Sequence, residues 1–158
     1  MITDFLLEYP ALVPLAILVT AVLCVGIGHV LLRTGRRGWL WPVIALAAVP
    51  VVALTLTPTS SHTLQRCAVQ FSLPTLGSVE LLANVALLLP LTFFATLATG
   101  RPGLMMVAGI ALSAVIEGVQ ALVPAIGRSC DTNDWAMNTL GVLVAALLGW
   151  ALLALHQR

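Results

Sequence analysis

The sequence predicts an all-α membrane protein, a bundle of five transmembrane helices with its N-terminus out and its C-terminus in. Three observations lead there. Hydrophobic residues make up 60% of the chain and charged residues 8%, against roughly 25% charged in an ordinary soluble domain. The apolar residues are gathered into runs of about 20, the length at which a helix crosses a hydrocarbon core of roughly 30 Å. The arginines, finally, fall unevenly on the two sides of those runs.

The first run covers residues 10–32 and stops at the basic turn that begins with Arg33. Asp4 and Glu8 precede it where a cleaved signal peptide would need basic residues, so this helix is expected to remain in the mature protein. A second run, 39–57, opens with Trp39 and Trp41, which suit a membrane interface, and ends before Pro58. The polar stretch 59–78 contains His62, Arg66, Cys67 and Gln70 and is too irregular to lie in lipid. The third run, 79–99, contains Pro90, which removes a backbone donor and predicts a kink. After the turn at Gly100-Arg101-Pro102-Gly103 come a fourth run at 104–123, a polar loop at 124–133 and a fifth run at 134–155. The whole chain, 1–158, reads as a single integral membrane domain.

With the N-terminus outside, Arg33, Arg36, Arg37, Arg101 and Arg158 face the cytoplasm, and only Arg66 and Arg128 face out. The inverted arrangement would reverse that split, against the tendency of basic residues to stay inside. A net charge of +1 gives no reason to expect a nucleic-acid partner. Cys67 and Cys130 sit in the two outer loops, where oxidation is permitted, and are expected to form a disulfide, whereas Cys24 lies inside the first helix.

Ionisable groups inside spans are costly and usually face the bundle interior, so their placement is the most informative part of the sequence. The third run opens with Glu80 and Asn84, four apart and on one helical face. The fourth carries Glu117 and Gln120. The fifth opens with Asp134 and Asn138 just after Arg128 and Asp131 in the loop. All eight lie toward the outer leaflet, with Glu117 roughly 9 Å below its boundary at ~1.5 Å per residue. Each alone can be structural: Asp134 and Asn138 as a helix-start pair, Arg128 neutralising Asp131. Together, Glu80, Asn84, Glu117, Gln120, Arg128, Asp131, Asp134 and Asn138 read as one binding pocket, in which Arg128 is expected to pair with Asp131, Asp134 or Glu117. Stripes of small residues, Gly109-Ser113 on the fourth run and Gly141-Ala145-Gly149 on the fifth, predict close packing of those two helices. No metal site is read here, because Arg128 would compete for the carboxylates. Neither His29 nor His62 has a second ligand nearby in sequence, and no cofactor motif is present.

At these residues the sequence resembles the VanZ-like family, small bacterial membrane proteins named for an accessory factor in resistance to the glycopeptide teicoplanin. The resemblance spans roughly residues 60–155. It rests on Asn84, Leu88 and Pro90 in the third run, on Glu117 and Gln120 in the fourth, and on the series Arg128, Asp131, Asp134, Asn138, Thr139 and Gly141. Thr92 and Ala145 stand where the family usually has glycine. What the resemblance implies is a multi-pass protein of the bacterial plasma membrane, with no settled reaction to carry over.

Two functions follow as expectations. The first is a non-enzymatic envelope factor that binds a lipid headgroup, a lipid-linked envelope precursor or another membrane protein at the outer pocket and affects glycopeptide resistance. It draws on the lack of a nucleophile and base at diagnostic spacing. The alternative is an intramembrane enzyme acting on a lipid-linked phosphate or sugar, with Arg128 holding the anion and Glu117 or Asp134 as general base. A transporter is less favoured, since five helices without evident repeats do not suggest alternating access.

Overall fold

The computed structural model describes residues 9–58 and 67–157. The expectations placed on Asp4, Glu8, His62, Arg66 and Arg158 therefore lie outside the described residues. Among the described residues, five helical spans are long and apolar enough to cross a membrane. In chain order they are α1 (Leu12–Arg33), α2 (Leu40–Leu56), a third span made of α3 (Val79–Leu87) and α4 (Leu89–Thr99), α5 (Pro102–Leu122) and α6 (Thr132–His156). The break between α3 and α4 falls at Leu88, one residue before the turn that begins α4 with Pro90, so the predicted kink is present. Pro50 is accommodated inside α2.

Each junction has a local cause. Gly100 ends α4 in the left-handed conformation, φ 66°, and its N–H donates to the Thr96 carbonyl at 2.9 Å, a C-terminal cap that a side chain at this position would strain. Pro102 then starts α5, where its missing N–H costs nothing. At the start of α6 the Asn133 N–H donates to the Asp131 carboxylate, 2.8 Å. The helix thus begins two residues earlier than the apolar run suggested, and Asp131, rather than Asp134, is its cap.

The last helix is central, packing against α1, α3, α4 and α5. Phe93, Leu97, Ala145 and Leu152 form the larger apolar core; Val51, Leu88, Ile116 and Val142 form a second. The expected packing of the fourth and fifth spans is present, but only one of the two small-residue stripes serves it. A Cβ on Gly109 of α5 would press on Val142 of α6, so the fourth-span stripe does meet the fifth span. On α6, however, Gly141 lies against the Val85 backbone and Gly149 against Thr96 and Phe93. The α6 glycines admit the third span, not the fourth, and at Gly141 the third span comes directly backbone to backbone.

At one end of the bundle the short strand β1 (Cys67–Ala68) pairs in parallel with β2 (Cys130–Asp131), Cys67 opposite Cys130. Those two cysteines form the expected disulfide, with Cα atoms 4.5 Å apart; Cys24 is free and buried in α1. The stitching continues beyond the strands. The Gln70 N–H donates to Thr132 Oγ1 (2.9 Å), and Thr132 Oγ1 donates to the Gln70 carbonyl (2.8 Å). Ser72 N–H donates to Asn133 Oδ1 at 2.9 Å. With Gln70 and Ser72 fastened to α6, the alternate residues Val69, Phe71 and Leu73 are exposed. Segment 67–73 is a strap tied across the α6 N-terminus.

Because the bridge closes a separation of 63 residues, a free chain would lose about 4 kcal/mol on its removal. Spans that stay inserted in the bilayer already limit the unfolded ensemble, so replacing both cysteines by serine is expected to cost only about 1–2 kcal/mol. Thermal unfolding in detergent checks this; an unchanged midpoint would mean that the strap is held by its hydrogen bonds alone.

Candidate functional site

Beneath the strap lies a cavity of about 440 Å³, within the roughly 300–1,000 Å³ typical of small-molecule sites. Its wall takes Leu54 and Thr55 from α2, Glu80, Ala83, Asn84 and Leu87 from α3, and Ile116, Glu117 and Gln120 from α5. Arg128 comes from the loop, Asp131 from β2, and Asp134 and Asn138 from α6. All eight residues singled out in the sequence line this one space.

Their spacing explains the convergence. Glu80 and Asn84, one turn apart on α3, share a face with Ala83 and Leu87, and Asp134 with Asn138 does the same on α6. Packing of α3 on α6 at Gly141 brings those faces together, and Asn84 Nδ2 donates to Asp134 Oδ1 at 2.5 Å. Glu117 accepts the Asp131 backbone N–H at 2.8 Å, so α5 is tied to β2. Asp131 engages both carboxylate oxygens, one with Asn133 N–H and the other with Gln70 Nε2 at 2.5 Å. Gln120 is buried, and its Nε2 donates to the Thr55 carbonyl at 3.1 Å. That carbonyl is among the last four of α2, which have no partner within the helix. Glu80 is exposed and sits at the rim.

The expected ion pair at Arg128 is not made: the guanidinium pairs with none of Asp131, Asp134 or Glu117 among the described residues, and its Nε is buried without a hydrogen-bond partner. The physical reason is that the carboxylates are supplied otherwise. Each of the three takes neutral donors, from amide side chains or backbone, leaving the guanidinium uncommitted. Asn138 is 2% exposed and its Oδ1 also lacks a partner, as do Ser113 Oγ and Thr139 Oγ1 nearby in the same helices. Buried polar atoms left unpaired are few in folded proteins, and each requires an explanation.

Sequence reasoning missed three contributors. Thr55 offers a backbone carbonyl, for which no side-chain signal exists. Gln70 was seen only as part of an irregular loop. Asn133, buried and holding Ser72, falls in the polar loop by hydropathy, because the apolar run begins at 134. At the opposite end of the bundle His29, without a partner in the local sequence, meets the ring of His156 with centroids 4.9 Å apart.

Residues 39–154 fit the model of the VanZ/LLP1 family, so the similarity begins in the second span rather than near residue 60. No curated protein and no solved structure matches the chain.

Proposed function

The chain belongs to the VanZ/LLP1 family, and from that membership together with its polar cavity we propose a non-enzymatic envelope factor that binds a lipid headgroup or lipid-linked envelope precursor. The observation that carries this reading is the convergence of carboxylates, amides and one uncommitted guanidinium, drawn from three helices, a strand and a loop, on a single cavity. Hydrocarbon offers such groups no partner, so holding them there has a cost that a ligand repays.

The cavity mouth lies at the outer leaflet in this proposal. Arg33, Arg36, Arg37 and Arg101 occupy the turns at the far end of the helices, where basic residues favour the cytoplasm. The exposed row Val69, Phe71 and Leu73 then lies at headgroup level, with its apolar side available to the acyl boundary. Binding without turnover is favoured because, among the described residues, no His, Ser or Cys lines the cavity, and the one hydroxyl among them there, on Thr55, donates to the Val51 carbonyl at 2.7 Å. Tolerance of teicoplanin is the cellular readout that the family suggests.

Two readouts test the proposal together. A reporter fused after Arg158 should be active only in the cytoplasm. Purified protein given labelled phospholipids and lipid-linked precursors should bind at least one of them saturably and release no product. Reporter activity outside would overturn the orientation, while turnover lost in Glu117→Gln would replace the binding factor by an enzyme.

A further inference from the structure

The electrostatics of the cavity say more about its ligand than its shape does. Four carboxylates, Glu80, Glu117, Asp131 and Asp134, face one guanidinium. The hydrogen bonds that Glu117, Asp131 and Asp134 receive come from neutral groups, and Arg128 is the one basic residue among the described residues that line the cavity, so the carboxylates outnumber the cation. A surplus of negative charge in a partly dehydrated site calls for a cation.

Two unpartnered atoms locate the complementary chemistry. Asn138 Oδ1 is an acceptor, on a residue 2% exposed that lines the cavity, and only a donor can satisfy it. Arg128 Nε is a buried donor on the same wall and requires an acceptor. One ligand that answers both carries a multiply donating cation at one end and an anionic acceptor at the other. A purely anionic headgroup would satisfy Arg128 and bring like charge to the carboxylates. A quaternary ammonium would supply charge but no N–H for Asn138.

Resting on the headgroup reading above, we propose that the cavity takes a zwitterionic headgroup in which a primary ammonium sits among Glu117, Asp134 and Asn138 and a phosphodiester meets Arg128. Phosphoethanolamine has this chemistry. The source is a lipid rather than a soluble phosphoethanolamine, because Leu54, Leu87 and Ile116 on the same wall offer apolar surface that a free headgroup would leave uncovered. Guanidinium binds phosphate through charge-assisted hydrogen bonds, and an ammonium can donate to two carboxylates and an amide oxygen at once.

The test is a competition by native mass spectrometry on the full chain in detergent, with equimolar phosphatidylethanolamine, phosphatidylcholine and phosphatidylglycerol of identical acyl chains. Phosphatidylethanolamine should be retained roughly tenfold or more over the others, the effect of one hydrogen bond to a charged group. Asn138→Leu should bring phosphatidylcholine toward parity with phosphatidylethanolamine, while phosphatidylglycerol stays disfavoured by the carboxylates. Asn138→Asp, which keeps an acceptor in place and guards against a folding failure of the leucine variant, should preserve the order. Equal or greater retention of phosphatidylglycerol or phosphatidylcholine by the unaltered chain would overturn the zwitterion while leaving headgroup binding intact. Displacement by glycerophosphoethanolamine at equal molarity would overturn the lipid source, and absence of saturable binding by any of the three would overturn the phospholipid proposal, while the wider headgroup reading falls only if the lipid-linked precursors also fail to bind.

Discussion

Gly141→Leu should prevent the third and fifth spans from packing, with a loss of about 3 kcal/mol or more, at the upper end of the cost of inserting atoms into a packed core. A Cβ at Gly141 would already overlap the Val85 carbonyl oxygen, and that atom belongs to backbone and cannot rotate aside. The helices would have to separate, and the consequences would reach the cavity. Asn84 lies one residue before Val85 on α3, and its amide reaches Asp134, two turns before Gly141 on α6, at 2.5 Å. Once the helices part, Asp134 loses its donor. Gly26→Ala on α1 is the control, since a Cβ there meets nothing within 4 Å; its effect should stay within about 0.5 kcal/mol. Thermal unfolding of both variants in the same detergent gives the comparison, and similar midpoints would mean that the α3–α6 contact is not as close as described.

This contact also shows where the sequence was legible and where it was not. The five spans, the break before Pro90 and the placement of Cys67 and Cys130 in loops at one end follow from hydropathy, proline geometry and the alternation of antiparallel spans. So does the clustering of polar residues at that end. The glycine stripe on α6 announced a close neighbour but not which one, because a stripe encodes the approach distance while the order of helices in the bundle chooses the partner. Arg128 was misread for a related reason. Counting charges suggests an ion pair, but the geometry gives the carboxylates to Asn84, Gln70 and the backbone of β2 and α6. Gly127, with φ 67°, sets the turn from which the guanidinium departs, and nothing in the spacing of the loop reveals that direction. Thr55 joined the site through a carbonyl, which every residue possesses and no sequence pattern marks.

The cavity is held by groups distributed over the fold, and their removal should therefore act on binding in common. Asn84→Leu on α3, Glu117→Leu on α5 and Arg128→Gln in the loop each take away one hydrogen-bonding group of a site in which charge is poorly screened. Each is expected to weaken headgroup binding by about 1.5–3 kcal/mol, or roughly 10- to 150-fold. Glu117→Leu also leaves the Asp131 N–H without its acceptor, so its stability should fall as well as its affinity. Arg128→Gln removes no hydrogen bond within the protein that the structure records, and it separates the two effects: affinity should fall while the unfolding midpoint of the lipid-free protein stays near that of the lipid-free unaltered chain.

The most direct measurement is the retention of the lipid that copurifies with the protein, read by native mass spectrometry in the unaltered chain and in Arg128→Gln. The account predicts a defined lipid stoichiometry in the first and its loss in the second, with the same thermal midpoint in both once bound lipid has been stripped from each. Equal retention by the two proteins would contradict it, because the guanidinium would then not meet the ligand and the eight residues would be structural groups sharing a cavity.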